Sequence, residues 1–207
     1  MKKYFTIFAL GMMALSTAAF AATTATNSNT VSPTLQISAT IQSAVQLTLS
    51  TGTAAVTHCA VTPTGGTPDY TMNFGTVDAL GINAGNCNKF APTTPGTTNA
   101  IYWSDYNLNP VFTSQTVTTN TITAQVTTDF AAPNNILIVR DSANSSTVPT
   151  GVASFTPVST GTADTIVTNA ASGSTQTRFI GVAVTPANGA GVTGAKSATV
   201  TFTLTVQ

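Results

Sequence analysis

Charge is scarce in this 207-residue chain. It has six Lys or Arg residues, six Asp, no Glu and a single histidine, His58, and charged residues make up 6% of the sequence. Soluble domains usually carry about a quarter. Because no basic run or patch occurs, the sequence lacks the electrostatic signature of a nucleic-acid partner, and we expect none.

Groups that carry out catalysis or bind metals are equally scarce. One imidazole cannot supply the cluster of a zinc site, and nucleophilic catalysis needs a nucleophile, a base and an orienting group. Glycoside hydrolysis needs two carboxylates across a cleft, whereas most Asp residues here lie in or beside turns. The stretch Asp141–Ser146 lacks the ligand density of a calcium loop. We therefore expect no enzyme activity, no metal and no cofactor.

Long apolar runs are missing as well. The chain begins with Met1-Lys-Lys3, a short apolar run and the small-residue end Ala19-Phe-Ala21, which is the pattern of a secretory signal peptide. A membrane anchor is the alternative, but the run is shorter than the roughly 20 residues that a span needs. We predict that residues 1–21 are removed. The mature chain would then be secreted through the periplasm to the cell surface or medium, without a transmembrane segment.

Alternation of apolar and polar residues is the clearest pattern that the chain does have. In the C-terminal segment 198–206, Val200, Phe202, Leu204 and Val206 alternate with threonines. Successive side chains of a strand point to opposite faces, so we expect a half-buried β-strand there. This strand should be paired on at least one side and should bury the first three of these side chains.

Similar segments recur between turns rich in Gly, Pro, Asn and Ser, and no helix is predicted after the signal. The hydrophobic fraction of 42% argues against a disordered stalk. We predict a polar, flexible leader or donor extension at residues 22–33 and one domain at 34–207. The expected fold is all-β, an immunoglobulin-like or Greek-key antiparallel β-sandwich. The expected strands are 35–41, 45–49, 54–61, 70–74, 99–106, 111–112 with 115–127, 136–140, 152–155, 165–168, 178–185 and 198–206.

Two cysteines, Cys59 and Cys87, follow the signal. An even number in an exported chain predicts one disulfide, with two free buried thiols as the alternative. The bond would close a loop of about 28 residues and stabilise the fold by roughly 3–4 kcal/mol.

Cys59, Asn73-Phe-Gly75 and Cys87 lie between an alternating N-terminal segment and the alternating C-terminal strand. This arrangement resembles the spore coat U and fimbrial pilin families of bacterial surface fibres. Gly194, fourteenth from the C-terminus, matches a glycine common in chaperone–usher pilins, whereas Val206 replaces their usual aromatic residue next to last. The resemblance implies an incomplete immunoglobulin-like sandwich that a donated strand completes. It also implies a homopolymer, a periplasmic chaperone and an outer-membrane usher.

On this basis we expect a structural subunit of an extracellular fibre (a pilus-like fimbrium) or surface layer, with roles in cell adhesion and biofilm. Copies would assemble by β-strand addition, known in pilins as donor-strand complementation. The alternative is that residues 35–49 form the subunit's own first strand. The candidate strand-exchange residues are Val31, Leu35, Ile37, Ala39 and Ile41 in the donor and Val200, Phe202, Leu204 and Val206 in the acceptor.

A second function remains open, namely a secreted monomeric module that binds carbohydrate or a surface. Tyr102, Trp103, Asp105 and Tyr106 form the candidate ligand cluster, because aromatic faces and an acid can hold a sugar ring. The alternative is that these side chains simply pack in the core or at a sheet edge. His58, next to Cys59 on a predicted strand, is expected to be structural.

Overall fold

The computed structural model describes residues 36–40, 42–94, 99–113, 119–132, 135–187 and 192–207. The chain divides into two units, residues 1–41 and 42–207. In the first unit, residues 36–40 form no regular secondary structure, and the Ile37 side chain is 85% exposed. The strand predicted at 35–41 is therefore wrong for these residues, since alternation supplies a face but a strand also needs a hydrogen-bonded neighbour. Val31, Leu35, Ile41 and the leader 22–33 lie outside the described residues.

The second unit consists almost entirely of strands. Within the described ranges, no helix is long and apolar enough to cross a membrane. A single-turn 3-10 helix covers Val152–Ser154. The strands are β1 Ala44–Thr51, β2 Val61–Pro63, β3 Tyr70–Met72, β4 Asn88–Phe90, β5 Ala100–Thr113, β6 Asn120–Thr128, β7 Ile136–Asp141, β8 Phe155–Pro157, β9 Asp164–Thr168, β10 Gln176–Val184 and β11 Thr199–Val206.

These strands build two packed sheets and a separate hairpin. The larger sheet has the order β1-β5-β10-β7-β8, with β4 also paired to β5, and the smaller sheet has the order β11-β6-β9. β2 and β3 pair only with each other in the described structure. Every pairing is antiparallel. The predicted all-β sandwich is confirmed.

The main core lies between the two sheets. Leu108 from β5, Ile122 and Ala124 from β6, and Ile166 from β9 are buried against one another. Along β6 the buried residues alternate with half-buried polar residues, so the period of two decides which side chains enter the core there. In β9 the adjacent residues Ile166 and Val167 are both buried, at an irregularity in the β6–β9 register.

The larger sheet is covered on its other face too. Trp103 and Phe179 belong to a second buried cluster there, against which Ala54, Val56 and Phe155 pack. Residues 54–60, predicted as a strand, instead run irregularly over this face. Their alternating apolar side chains serve to cover a sheet, and so the pattern alone does not require strand pairing.

Several other boundaries also differ from expectation. The segments predicted at 99–106 and 111–112 are one continuous strand, β5, and the strand predicted at 152–155 begins as the 3-10 turn before β8. β4 was not predicted, because three residues are too few to show a period.

The C-terminal strand pairs with β6 over its whole length, which confirms the predicted pairing on at least one side. Its threonines at 201, 203 and 205 are exposed, whereas Val200, Phe202 and Leu204 are half-buried and pack against the main core. They are not fully buried because β11 is an edge strand beside an open groove.

Candidate functional site: an apolar groove beside the C-terminal strand

A groove of about 410 Å³ opens in the side of the sandwich. Its lining is mainly apolar and comes from the β2–β3 hairpin, β11 and the inner face of the larger sheet. Asp69 is the one charged side chain among its lining residues. The lining residues are Leu47, Leu49, Val61, Thr67, Pro68, Asp69, Tyr70, Thr71, Met72, Phe74, Tyr106, Ile138, Ile180, Ala198, Thr199, Val200, Thr201 and Phe202.

One side of the groove is the edge of β11. Five consecutive residues, 198–202, line it. Because neighbouring strand residues point to opposite faces, a cavity touched by five in a row lies along the edge of the strand. β6 occupies the other edge of β11. The groove therefore follows the edge along which no described strand pairs.

The opposite side of the groove is the edge of β3 in the β2–β3 hairpin, by the same reasoning. Residues 67–72 line the groove in unbroken succession, and β2 occupies the opposite edge of β3. Val61 and Met72, which are partners in the hairpin register, both pack against the main core. The groove thus lies between two strand edges whose backbone groups have no ladder partner among the described strands.

The floor of the groove is formed by the larger sheet. Leu47, Leu49 and Ile180 contribute aliphatic side chains, and the ring of Tyr106 lies 5.4 Å from that of Phe202, centroid to centroid. Burial raises the pKa of Tyr106 well above its usual value, so its hydroxyl stays neutral. Such a floor suits alternate apolar side chains of an added strand.

Phe74 of the FG motif lines this groove, and the disulfide lies beside the motif, with Cys59 Sγ 3.2 Å from the Asn73 carbonyl oxygen. Cys59 and Cys87 are bonded, with Cα atoms 5.3 Å apart, so the predicted disulfide is confirmed. The Phe74 carbonyl accepts a hydrogen bond from the Asn86 N–H at 2.9 Å. Gly75 has a φ of +74°, and a Cβ there would lie 2.5 Å from the Asn86 side chain. The motif therefore places Phe74 in the groove while its glycine allows the close approach to Asn86.

A loop after the FG motif is fixed by two opposite charges. Asp78 accepts hydrogen bonds from backbone N–H groups and from Tyr102, and Lys89 donates to backbone carbonyls. Burial acts to raise the pKa of Asp78, but these donors outweigh it and lower the pKa to about 2. The N–H donors to Asp78 are Leu80, Ile82 and Asn83, and the carbonyl acceptors of Lys89 are Gly81, Ile82 and Asn83.

The sequence reasoning missed a contact between His58 and the buried carboxylate of Asp105. His58 Nδ1 lies 2.6 Å from Asp105 Oδ1, and Asp105 also accepts the Ala54 N–H at 2.8 Å. Asp105 is fully buried, whereas a third of the His58 side chain is exposed. The two residues are 47 positions apart, and no local motif links them. The pair ties the irregular segment 52–59 to β5.

A smaller cavity of about 210 Å³ lies beside His58. Cys59 lines it, but its disulfide removes the thiolate that nucleophilic catalysis would need. In the described part of the chain, no three His, Cys, Asp or Glu side chains are grouped to hold a metal ion.

The residues of the candidate sugar-binding cluster do not lie at the surface. Tyr102, Trp103, Asp105 and Tyr106 are each at most 4% exposed. Because they alternate along β5, Tyr102 and Tyr106 belong to two different core clusters on the inner face, and Trp103 belongs to the cluster on the outer face. The prediction of a shared ligand site is wrong, and the packing alternative is correct.

No protein-family model, curated protein or solved structure matches the chain. The resemblance to spore coat U proteins and pilins therefore stays a prediction.

Proposed function

We propose that this protein is a structural subunit of an extracellular bacterial fibre or surface layer, and that copies join by β-strand addition. The groove between the edges of β11 and β3 is the observation that carries the proposal. A strand entering it can form main-chain hydrogen bonds along these edges while its alternate side chains enter the apolar floor.

The N-terminal segment of another copy is the proposed occupant. Leu35, Ile37, Ala39 and Ile41 recur at every second position, with polar residues between them. This period matches the one that a strand must have to place all its apolar side chains on the floor. The described part of this segment, 36–40, has no strand structure of its own, which leaves its backbone available for pairing.

An open apolar groove also indicates that another protein covers the subunit before it assembles. Exposed strand edges beside apolar side chains favour aggregation, so exported subunits of this kind need a temporary cover. We infer that a periplasmic chaperone covers the groove and that an outer-membrane usher orders the exchange. The disulfide supports this route, because such bonds persist in oxidising compartments.

Electron microscopy of the purified exported protein, with unheated SDS gels, tests the proposal. Wild-type protein should form fibres and a ladder of SDS-resistant species. Ile37→Asp should abolish both, because a buried unpaired charge is costly. Ser38→Asp is the matched control: it adds the same charge to the opposite face and should leave the fibres intact.

Two results would overturn the proposal. One is a wild-type protein that runs as a single band without fibres under all assembly conditions. The other is Ile37→Asp protein that polymerises as well as Ser38→Asp. A single band combined with glycan binding would favour the monomeric binding module, although its candidate residues are buried.

A further inference from the structure

One wall of the groove lies entirely inside the loop that the disulfide closes. Val61, residues 67–72 and Phe74 line the groove, and all of them lie between Cys59 and Cys87. The bond therefore encloses the β2–β3 hairpin and the FG motif. The opposite wall, at β11, lies outside this loop.

Hydrogen bonds attach only the β2 side of the hairpin to a sheet in the described structure. The Val61 N–H donates to Thr51 Oγ1 at 3.0 Å, and just before β2 the Cys59 N–H donates to Ser104 Oγ at 2.9 Å. β3 pairs with β2 alone, and no other described hydrogen bond joins β3 to either sheet. Met72 packs against the main core, but apolar contacts are non-directional and fix its distance from β11 only loosely.

The end of β3 is instead held through the disulfide. The Asn73 carbonyl accepts a hydrogen bond from Asn86 Nδ2 at 3.1 Å, and the Phe74 carbonyl accepts one from the Asn86 N–H at 2.9 Å. Asn86 directly precedes Cys87, which is bonded to Cys59. The strand that borders the groove therefore depends on the disulfide for its position beside the anchored β2 side.

We infer that the disulfide controls strand binding, so that the groove holds a donated strand firmly only when Cys59 and Cys87 are joined. This inference rests on the proposed function, because the donated strand is the proposed occupant. Reduction would let β3 move relative to β11, and a wall that is in place for a tenth of the time weakens binding about tenfold. Because the cytoplasm keeps thiols reduced, the subunit would become able to accept a strand only after export.

The disulfide can be reduced by a small dithiol. Cys87 is half-buried, so a thiolate of dithiothreitol can attack its sulfur; the S–S bond breaks and Cys59 leaves as a thiolate. The second thiol of the reagent then displaces Cys87. Both cysteines end as thiols, and the reagent ends as its cyclic disulfide.

Peptide binding before and after reduction tests the inference. Full-length mature Ile37→Asp protein, which the proposed function keeps unpolymerised, is titrated calorimetrically with a synthetic peptide of residues 31–43. Dithiothreitol should raise the Kd about tenfold. The double variant Cys59→Ser/Cys87→Ser should show the weaker binding with or without the reagent. Ile122→Val weakens the main core away from the hairpin, and should keep the Kd of the oxidised protein.

Hydrogen exchange tests the hairpin without any peptide. Reduction should speed exchange of the amides of residues 70–75 by a similar factor, whereas the amides of β6 should keep their rates. If the oxidised protein does not bind the peptide, the proposed donor is wrong, and hydrogen exchange still decides whether the disulfide holds the wall. Equal exchange at 70–75, or an equal Kd, in oxidised and reduced folded protein would overturn the inference.

Asn86→Ala serves where reduction unfolds the protein. It keeps the disulfide but removes the side-chain bond to the Asn73 carbonyl. Exchange at residues 70–75 should become severalfold faster while circular dichroism shows an intact fold. Unchanged exchange in this variant would overturn the inference.

Discussion

At the scale of single residues, Asp105 shows how an irregular segment can be fixed over a sheet. Its carboxylate binds the Ala54 N–H and His58, and a Cβ at Gly52 would lie 2.0 Å from its Cγ. Any side chain at position 52 would therefore clash with Asp105. The φ angle of Gly52 is not in the left-handed region, so this clash is the reason that glycine is needed there.

We expect Gly52→Ala to lower the free energy of unfolding by about 1–3 kcal/mol, because the buried carboxylate has no room to move. In an Asp105→Ala background the same change should cost much less, since the clashing atoms are gone. Urea unfolding of the four members of this cycle measures the coupling. Gly66→Ala, where a Cβ meets nothing within 4 Å, is the control. Equal costs of Gly52→Ala in both backgrounds would contradict the packing described here.

The Asp78 loop predicts a pH dependence. The native pKa of about 2 lies below the ordinary value of 3.8, so between them the unfolded chain binds more protons than the native state. This contribution to stability should be complete above about pH 4 and should be lost as the pH falls through about 2. Unfolding free energies at pH 5 and pH 2 should differ less for Asp78→Asn than for wild type. If the unfolding free energy changed equally between pH 5 and pH 2 in both proteins, the loop contacts would not lower the pKa of Asp78.

At the scale of strands, β11 has three separate surfaces: one edge pairs with β6, the other borders the groove, and the outer face carries threonines. Its inward side chains are only half-buried in the single subunit. A strand with this exposure is stabilised further when a neighbour covers it.

We therefore expect Phe202→Asp to block polymerisation, because it places an unpaired charge in the groove beside Tyr106. Thr205→Asp is the matched change on the outward side of the same strand and should leave fibre formation intact. Electron microscopy and unheated gels score both variants. Normal polymerisation of Phe202→Asp would exclude the groove as the acceptor.

Sequence patterns predicted best the strands that pack against a core. β7, β9, β10 and β11 lie within two residues of their predicted limits. β11 alternates against one core face, whereas β7 and β10 contribute side chains to core clusters on both faces of the larger sheet. The same period at 54–60 belongs to a covering segment, and at 35–41 it accompanies no described strand. Contacts such as His58 with Asp105 depend on how distant segments meet, which no local pattern encodes.

The groove could be predicted only in part. The acceptor residues Val200 and Phe202 line it, as expected, whereas Leu204 and Val206 do not. The opposing edge of β3 was not foreseen, because nothing in residues 67–72 marks them as the border of a cavity. Which segments remain unpaired is a property of the whole sheet order.

At the scale of the whole molecule, the open side of the sandwich means that a bound strand should stabilise the fold. A variant lacking residues 22–41 should remain unpolymerised and bind a synthetic peptide of residues 31–43. At a peptide concentration about 100 times Kd, the unfolding free energy should rise by roughly 2.7 kcal/mol. Thermal unfolding with increasing peptide measures this, and a peptide carrying Ile37→Asp is the control. A variant that polymerises without residues 22–41 would show that the donor lies elsewhere.

The central pairing of β5 with β10 has a kinetic consequence. It joins Leu108 to Gln176 and Ala100 to Val184, which lie far apart in the chain. Loops of this length must close before their contacts stabilise anything, so sheets of this kind form slowly, on the order of milliseconds to seconds. In a nascent chain β1 and β4 can pair with β5 early, but the β5–β10 pairing cannot form until residue 176 has been synthesised, so the larger sheet stays incomplete for most of synthesis.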